Sequence, residues 1–319
     1  MKESSGFLEG GSPFRLAAVP QALNAVLSRG ESYEPVPPGR NIEPGRLAGY
    51  YMDFRAKTES KTPPEALAPA ALAQLGLGWW ERLLEGDTAG EAHVLAVCRL
   101  LRERSVETGG ELRWLYDDPI SKYRLEPPYA SALAQGQIGS LFLRAARLDD
   151  DPDLRDAGRR AVQPLLSPTS DLVTMTERGP ILEEVPTEPR THILNGWISA
   201  LWGLLDVAIE FADEAANAAY THGWACVREL LPRYDTGWWT KYSLYPSTPA
   251  DLAKPIYHRF HIDQLRVLAQ LTSEPVFAET ADRWDAYDTP LNRGRFLAQK
   301  ARFVLAFHRG RLQVDELTL

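Results

Sequence analysis

ILNGWISALWGLLDVAIEF, residues 193–211, is the most apolar segment of the chain. Its length would suit a membrane span, but Asn195, Asp206 and Glu210 interrupt it, so it reads as a helix buried inside a protein. It lacks a polar face, and a helix apolar on nearly all sides packs against neighbours in every direction. Gly196, near its start, belongs to a series: Gly76, Gly136 and Gly196 stand 60 residues apart, each near the start of an apolar helical pattern. A more polar helical segment follows each time, and then a loop of glycine and aromatic residues, such as Gly109-Gly110 with Trp114 or Gly237 with Trp238-Trp239. Repeated pairs of an apolar and a polar helix predict an all-α fold. The architecture expected is an α/α barrel, a toroid of inner–outer helix pairs with short hairpins and loops at one rim. A solenoid of helix pairs is the alternative use of the same units.

Outward from that segment the periodicity predicts helices over 64–75, closed by Gly76, and over 79–84, 89–104, 131–148 and 151–166. Further helices are expected over 214–231, 259–271, 275–287 and 292–308, with an extended stretch at 111–116 and a loop or hairpin at 172–182. Residues 1–60 read as an irregular N-terminal segment wrapping the domain, with a short helix near Pro20–Leu27. Tyr50-Tyr51-Met52-Asp53-Phe54 reads as a surface anchor in preference to a pocket lining. The barrel domain is expected over 61–309 and a short tail over 310–319.

The 319 residues are 44% hydrophobic and 24% charged, enough for a sizeable core. The net charge is −8 and no block of Lys or Arg stands out, which argues against nucleic acid as a partner. No apolar run suits a signal peptide or membrane anchor, so a cytoplasmic protein is expected. Cys98 and Cys226 lie inside helical patterns and read as buried free thiols. A homodimer is compatible with the sequence.

Three loop-rich segments occupy equivalent places in the repeat: Glu126–Gln137, Pro180–Gly196 and Asp235–Gln264. The last lies within YDTGWWTKYSLYPSTPADLAKPIYHRFHIDQL, residues 234–265, which is dense in tyrosine, tryptophan and histidine. Together they offer Glu183, Glu184, Tyr242, Tyr245 and Tyr257. Gln135, Gln137, Asn195, Lys254, His258, Arg259 and His261 add hydrogen bonding and charge, and Trp238 and Trp239 add aromatic faces. Aromatic faces for stacking, beside amides and carboxylates, suit a sugar. His258-x-x-His261 puts two imidazoles on one helical face, but no glutamate follows the first and no cysteine is near, so no metal is expected. Gly109-Gly110 lacks the Lys-Ser/Thr of a phosphate loop, and no Gly-x-Ser-x-Gly elbow occurs.

The runs LEPPYASALAQGQ, LEEVPTEP, HILNG, LLPRYDTGWWTKYSL and YHRFHIDQL stand in order along the chain, followed by Glu274-Pro-Val-Phe and Arg283-Trp284. In these, the chain resembles the C-terminal domain of the D-glucuronyl C5-epimerases, over about residues 95–287. Those enzymes convert glucuronate to iduronate within heparan-type polysaccharides. The resemblance implies an α/α barrel, no cofactor, and catalytic residues at Glu184, Tyr242 and Tyr257. It leaves Gln135, Gln137, Asn195, Trp238, Trp239, His258, Arg259 and His261 as candidates for substrate binding. The chain departs from the family pattern at Ala130, Val185 and Tyr245, where the pattern has tyrosine, tyrosine and arginine.

Inverting C5 of a uronate removes the proton next to the carboxylate and returns one to the other face, so a base and an acid must face each other. Glu184 suits the base if burial raises its pKa, and a tyrosine suits the acid. Asn195, Arg259 or His261 could stabilise the enolate-like intermediate. A lyase would share that intermediate. A glycosidase would need a second carboxylate, with Glu126, Asp117 or Asp118 as candidates. A non-catalytic sugar binder is the remaining alternative.

Overall fold

The computed structural model describes residues 15–16, 49–84, 86–148, 151–310 and 313–314. The expected helix near Pro20–Leu27 and most of the segment and tail at the two ends lie outside these residues. The described residues are mostly helical. The helices are α1 (Pro69–Leu84), α2 (Ala89–Glu103), α3 (Ala132–Ala145), α4 (Pro152–Leu166), α5 (Leu194–Phe211), α6 (Glu214–Tyr234), α7 (Pro255–Thr272), α8 (Pro275–Asp285) and α9 (Pro290–His308). Proline in the first turn of α4, α7, α8 and α9 presets the backbone where no N–H is needed. Asp151, Asp213 and Thr289 cap α4, α6 and α9 by accepting free N–H groups.

The odd-numbered helices α1, α3, α5 and α7 form an inner row, each packed on the next. Their even-numbered partners α2, α4, α6 and α8 each back the preceding inner helix. In α3 every residue but Leu133 is buried, and in α5 burial is continuous from Leu194 to Leu205. That explains why neither sequence shows a polar face. The closure that a barrel needs, α7 against α1, is not among the strong packings of the described residues.

The periodic glycines have a physical reason. A Cβ on Gly136 would lie 2.7 Å from the Ala200 Cα, and one on Gly203 would lie 2.4 Å from the Gly136 Cα. The backbones of α3 and α5 therefore meet with no side chain between them. On Gly76 a Cβ would lie 2.5 Å from the Leu141 Cδ2. Here the expectation is corrected: α1 runs unbroken through Gly76 and Gly78, which are close-approach positions and do not stop the helix. The predicted start at 64 is a separate 3₁₀ turn, Pro64–Ala66.

Tyr50, Met52 and Phe54 are fully buried within the main core, where Tyr51 stacks on Trp202, so this stretch is a core segment and not a surface anchor. Cys98 and Cys226 are both free and buried.

Each connection from an outer helix to the next inner helix carries a small antiparallel hairpin or bridge. After the antiparallel pair β1 (Arg15–Leu16) and β2 (Met52–Asp53), strands β3 (Val106–Thr108) and β4 (Glu111–Arg113) precede α3, with β-bridges Tyr116–Tyr129 and Ile120–Leu125 beyond them. Strands β5 (Val173–Thr176) and β6 (Gly179–Leu182) precede α5. Bridges Asp235–Thr240 and Lys241–Leu252 precede α7. These three connections lead to the N-terminal ends of α3, α5 and α7.

Candidate active site

The three connections interlock. The Ala132 N–H at the head of α3 donates to the Glu183 carbonyl (3.1 Å), and the Leu244 N–H donates to the Thr191 carbonyl (2.9 Å). Lys122 and the Tyr123 hydroxyl, from the first connection, both reach the Asp251 carboxylate of the third.

Neighbouring carboxylates at the end of β6 take opposite directions, as successive side chains of an extended chain do. Glu183 turns inward and is fully buried. Its Oε1 accepts from the Thr174 hydroxyl (2.6 Å) and its Oε2 from the His192 N–H (3.1 Å). His192 Nδ1 stands 2.7 Å from the same carboxylate, off the line of a hydrogen bond. Glu183 is thereby a framework residue.

Glu184 turns outward against the first turn of α5. Asn195 Nδ2 donates to its Oε2 (3.3 Å) and the Tyr242 hydroxyl to its Oε1 (3.5 Å). Gly196 makes the room: a Cβ there would lie 2.2 Å from the Glu184 Oε2. The carboxylate is half-buried, open on the cleft side and ringed by protein on the others. That burial raises its pKa to about 7, against the pull of the Tyr242 hydroxyl, Lys122 and Asn195.

Tyr257, at the start of α7, packs beside Tyr242 with ring centroids 4.9 Å apart. Burial, and then the Glu184 charge, pushes the Tyr257 phenol up to about 12 and the Tyr242 phenol well above its ordinary value. Both hold their protons at neutral pH. Glu184, Asn195, Tyr242 and Tyr257 therefore form one side-chain cluster where the connections meet.

Other expected site residues are engaged elsewhere. Gln135 is fully buried and ties the inner row to its surroundings: Nε2 donates to the Leu112 and Ala161 carbonyls, and Oε1 accepts from the Trp114 N–H. Gln137 is buried between helices and accepts from Gln74 (3.2 Å). His258 is spent on Thr240 (2.9 Å) and the Trp284 carbonyl (3.1 Å), with burial holding its pKa down to about 4. His261 is also buried and neutral, its pKa lowered to about 3 by burial and then by His258, but neither of its ring nitrogens meets a hydrogen-bond partner, so no engagement elsewhere accounts for it. Arg259 is committed to Asp263 (3.3 Å) and Asp285 (2.7 Å). Trp239 stacks on His258 and donates to the Ala253 carbonyl, while Trp238 lies beneath Arg295 of α9. Gln135, Gln137, His258 and Arg259 are corrections because their polar groups meet partners on packed elements, and Trp238 and Trp239 because their rings are covered by Arg295 and His258.

Residues that the sequence reading passed over surround Glu184 instead. The phenols of Tyr116, Tyr123 and Tyr129 are all raised, first by burial and in part by the Glu184 charge. Tyr116 and Tyr129 stack nearly parallel, 5.3 Å between centroids. Lys122 lies over the Tyr123 and Tyr242 rings, at 4.6 and 5.1 Å. The available signal was positional: 116–129 occupies the same place before α3 that 183–193 occupies before α5.

Taken together, a helical scaffold gathers at its loop ends one carboxylate whose pKa burial raises toward neutrality, beside phenols that keep their protons. The profile of the family described as D-glucuronyl C5-epimerase C-terminus matches residues 109–286, more than half of the chain, and the chain belongs to that family. A D-glucuronyl C5-epimerase of Caenorhabditis elegans is 33% identical over an alignment of 183 residues that covers 52% of this chain and 30% of that protein. The match thus spans under a third of that relative's length.

Proposed function

We propose that this cleft inverts C5 of a D-glucuronate residue within a saccharide. The observation that carries the reading is a single carboxylate with a pKa of about 7, beside two tyrosines that keep their protons. Glu184, as carboxylate, takes the C5 proton. The C–H electron pair moves into the C5–C6 bond and charge gathers on the substrate's carboxylate oxygens. Tyr257 returns a proton to the opposite face, and Tyr242, bonded to Glu184, orients the base. The scheme uses no cofactor.

The other buried carboxylates of this region are bound up, Glu183 with Thr174 and Asp251 with two lysines, which disfavours the paired carboxylates of a glycosidase. We infer further that α1–α8 are the inner–outer pairs of an α/α barrel over residues 61–309. The continuous inner row and the gathering of the loops at one end support it.

The test is incubation with glucuronate-containing oligosaccharides in heavy water, read by NMR. Deuterium at C5 of both product and recovered substrate is expected. Absence of C5 exchange would sink the reading, and accumulation of a 4,5-unsaturated product would move the enzyme to the lyases.

A further inference from the structure

The proposed reaction leaves one requirement without a residue. Charge builds on the substrate carboxylate as the proton departs, and a cation must meet it. Arg259, the expected candidate, is held by Asp263 and Asp285. The cation beside the site is Lys122.

Its surroundings fit the task. Lys122 sits in the turn Ser121–Tyr123, at the tip of the bridged loop 116–129. Its ammonium lies 5.1 Å from the ring centroid of Tyr242, the residue bonded to Glu184. It is partly open, with 27% of its side chain exposed, so a ligand in the cleft can reach it. Lys122 and Lys300 of α9 both pair with Asp251, whose side chain is fully buried and also accepts from Tyr123 and Ser243. Two ammonium groups on one carboxylate leave one positive charge in surplus. With Glu184 ionised the cluster is neutral, so an entering uronate meets no net repulsion and Lys122 is the positive group its carboxylate can approach. When Glu184 accepts the C5 proton it becomes neutral, and the surplus then faces the second negative charge growing on the substrate. The Asp251 bond also fixes where the ammonium stands.

We propose, resting on the reaction above, that Lys122 grips the carboxylate of the uronate, and that Asp251 and Lys300 are positioning residues that hold it there. Lys122 therefore sets the preference for a uronate over the corresponding neutral sugar.

The test compares a glucuronate-containing oligosaccharide with its carboxyl-reduced counterpart, by calorimetric titration of the wild type, Lys122→Gln and Lys122→Arg. Glutamine can still donate to Asp251, so it keeps the loop tethered while removing the charge. The wild-type preference for the uronate is expected to fall about ten- to a hundredfold in Lys122→Gln, the worth of a hydrogen bond between charged groups, and to survive in Lys122→Arg. Equal losses for both saccharides, or an unchanged preference, would make Lys122 a structural tether and overturn the proposal. If Lys122→Gln fails to fold, the wild type still decides. The uronate should shield Lys122 from acetylation by acetic anhydride, read by mass spectrometry, and the reduced saccharide should not; no difference in shielding overturns the proposal. C5 exchange in heavy water separates the two readings. A wild type that exchanges C5 while Lys122→Gln keeps its preference rejects only the role of Lys122. A wild type without exchange rejects the reaction and this role with it.

Discussion

At the scale of single residues, Glu184 ties activity to stability. Below about pH 4.5, the ordinary value for its carboxyl, the group is neutral in both the folded and the unfolded chain and costs nothing. Between there and about pH 7 only the unfolded chain loses the proton, so stability falls as pH rises. Above pH 7 the full cost stands, about 2–3 kcal/mol after allowance for the open side of the cleft. Glu184→Gln should therefore melt higher than wild type at pH 8 and at the same temperature at pH 4, while losing about a hundredfold or more in C5 exchange. Equal melting shifts at both pH values would mean that the carboxyl is not held near 7. The wild-type exchange rate should rise through about pH 7 as the base ionises, and a flat profile from pH 5 to 9 would contradict that role. Tyr257→Phe removes only the hydroxyl, so saccharide affinity should persist while turnover drops about a hundredfold or more. Full activity in that variant would move the acid to another tyrosine. That Glu184, Tyr242 and Tyr257 come together was legible from the resemblance, because each lies in one of its distinctive runs. Lys122 and Asp251 were not, since a lone lysine in Ser-Lys-Tyr carries no spacing that marks it.

At the scale of elements, the first turn of α5 and the end of β6 are one device. Gly196 leaves the space that the Glu184 carboxylate fills. Gly196→Ala improves helix propensity by about 1 kcal/mol and forces the base out of place. We expect helix content and melting temperature near those of wild type, with exchange reduced by about tenfold or more, as displaced reacting groups usually are. Undiminished exchange would show that Glu184 tolerates displacement. The 60-residue glycine period was readable because no added side chain fits at any of the three, though for different reasons: Gly136 meets backbone, Gly76 the Leu141 side chain and Gly196 that of Glu184. Its meaning was less readable: Gly76 looks like a stop, and only the third dimension shows Leu141 filling its place. Gln135 and His258 were misjudged for a related reason. Polar side chains on an inner helix look functional in sequence, yet a buried loop-to-helix junction also needs donors and acceptors for its own backbone.

At the scale of the molecule, the family match ends at residue 286, but the packing continues. Helix α9 contributes the buried Phe296, against Trp239, and Lys300, on Asp251. Losing Phe296 and Phe303 together would remove about 6–10 kcal/mol, comparable with the whole stability of an ordinary domain. A chain ended at Asp288 should thus unfold at much lower urea than the full chain, and equal midpoints would show that α9 is an appendage. No helix among the described residues is long and apolar enough to cross a membrane, which accords with the polar interruptions read in residues 193–211. The helical class was evident from periodicity alone. Ring closure was not, because it depends on how the first and last pairs meet, and no local pattern encodes that.

The opposed directions of Glu183 and Glu184 bear on inheritance. Substitutions at Val185 or Pro186 leave the base on its side of the strand. Losing one codon between Thr176 and Glu183 shifts register against a partner strand fixed by Thr174 and Leu172, and exchanges the inward carboxylate for the outward one. In the hairpin at Gly109-Gly110 an added side chain would meet nothing within 4 Å, and a length change disturbs only the short β3–β4 pairing and the bond from Arg160 to the Gly110 carbonyl. A pooled scan of single-codon deletions should find the first stretch intolerant and the second permissive. Lineages carrying this site are thus held to the length of β6, as they are to its buried apolar residues and to Gly179.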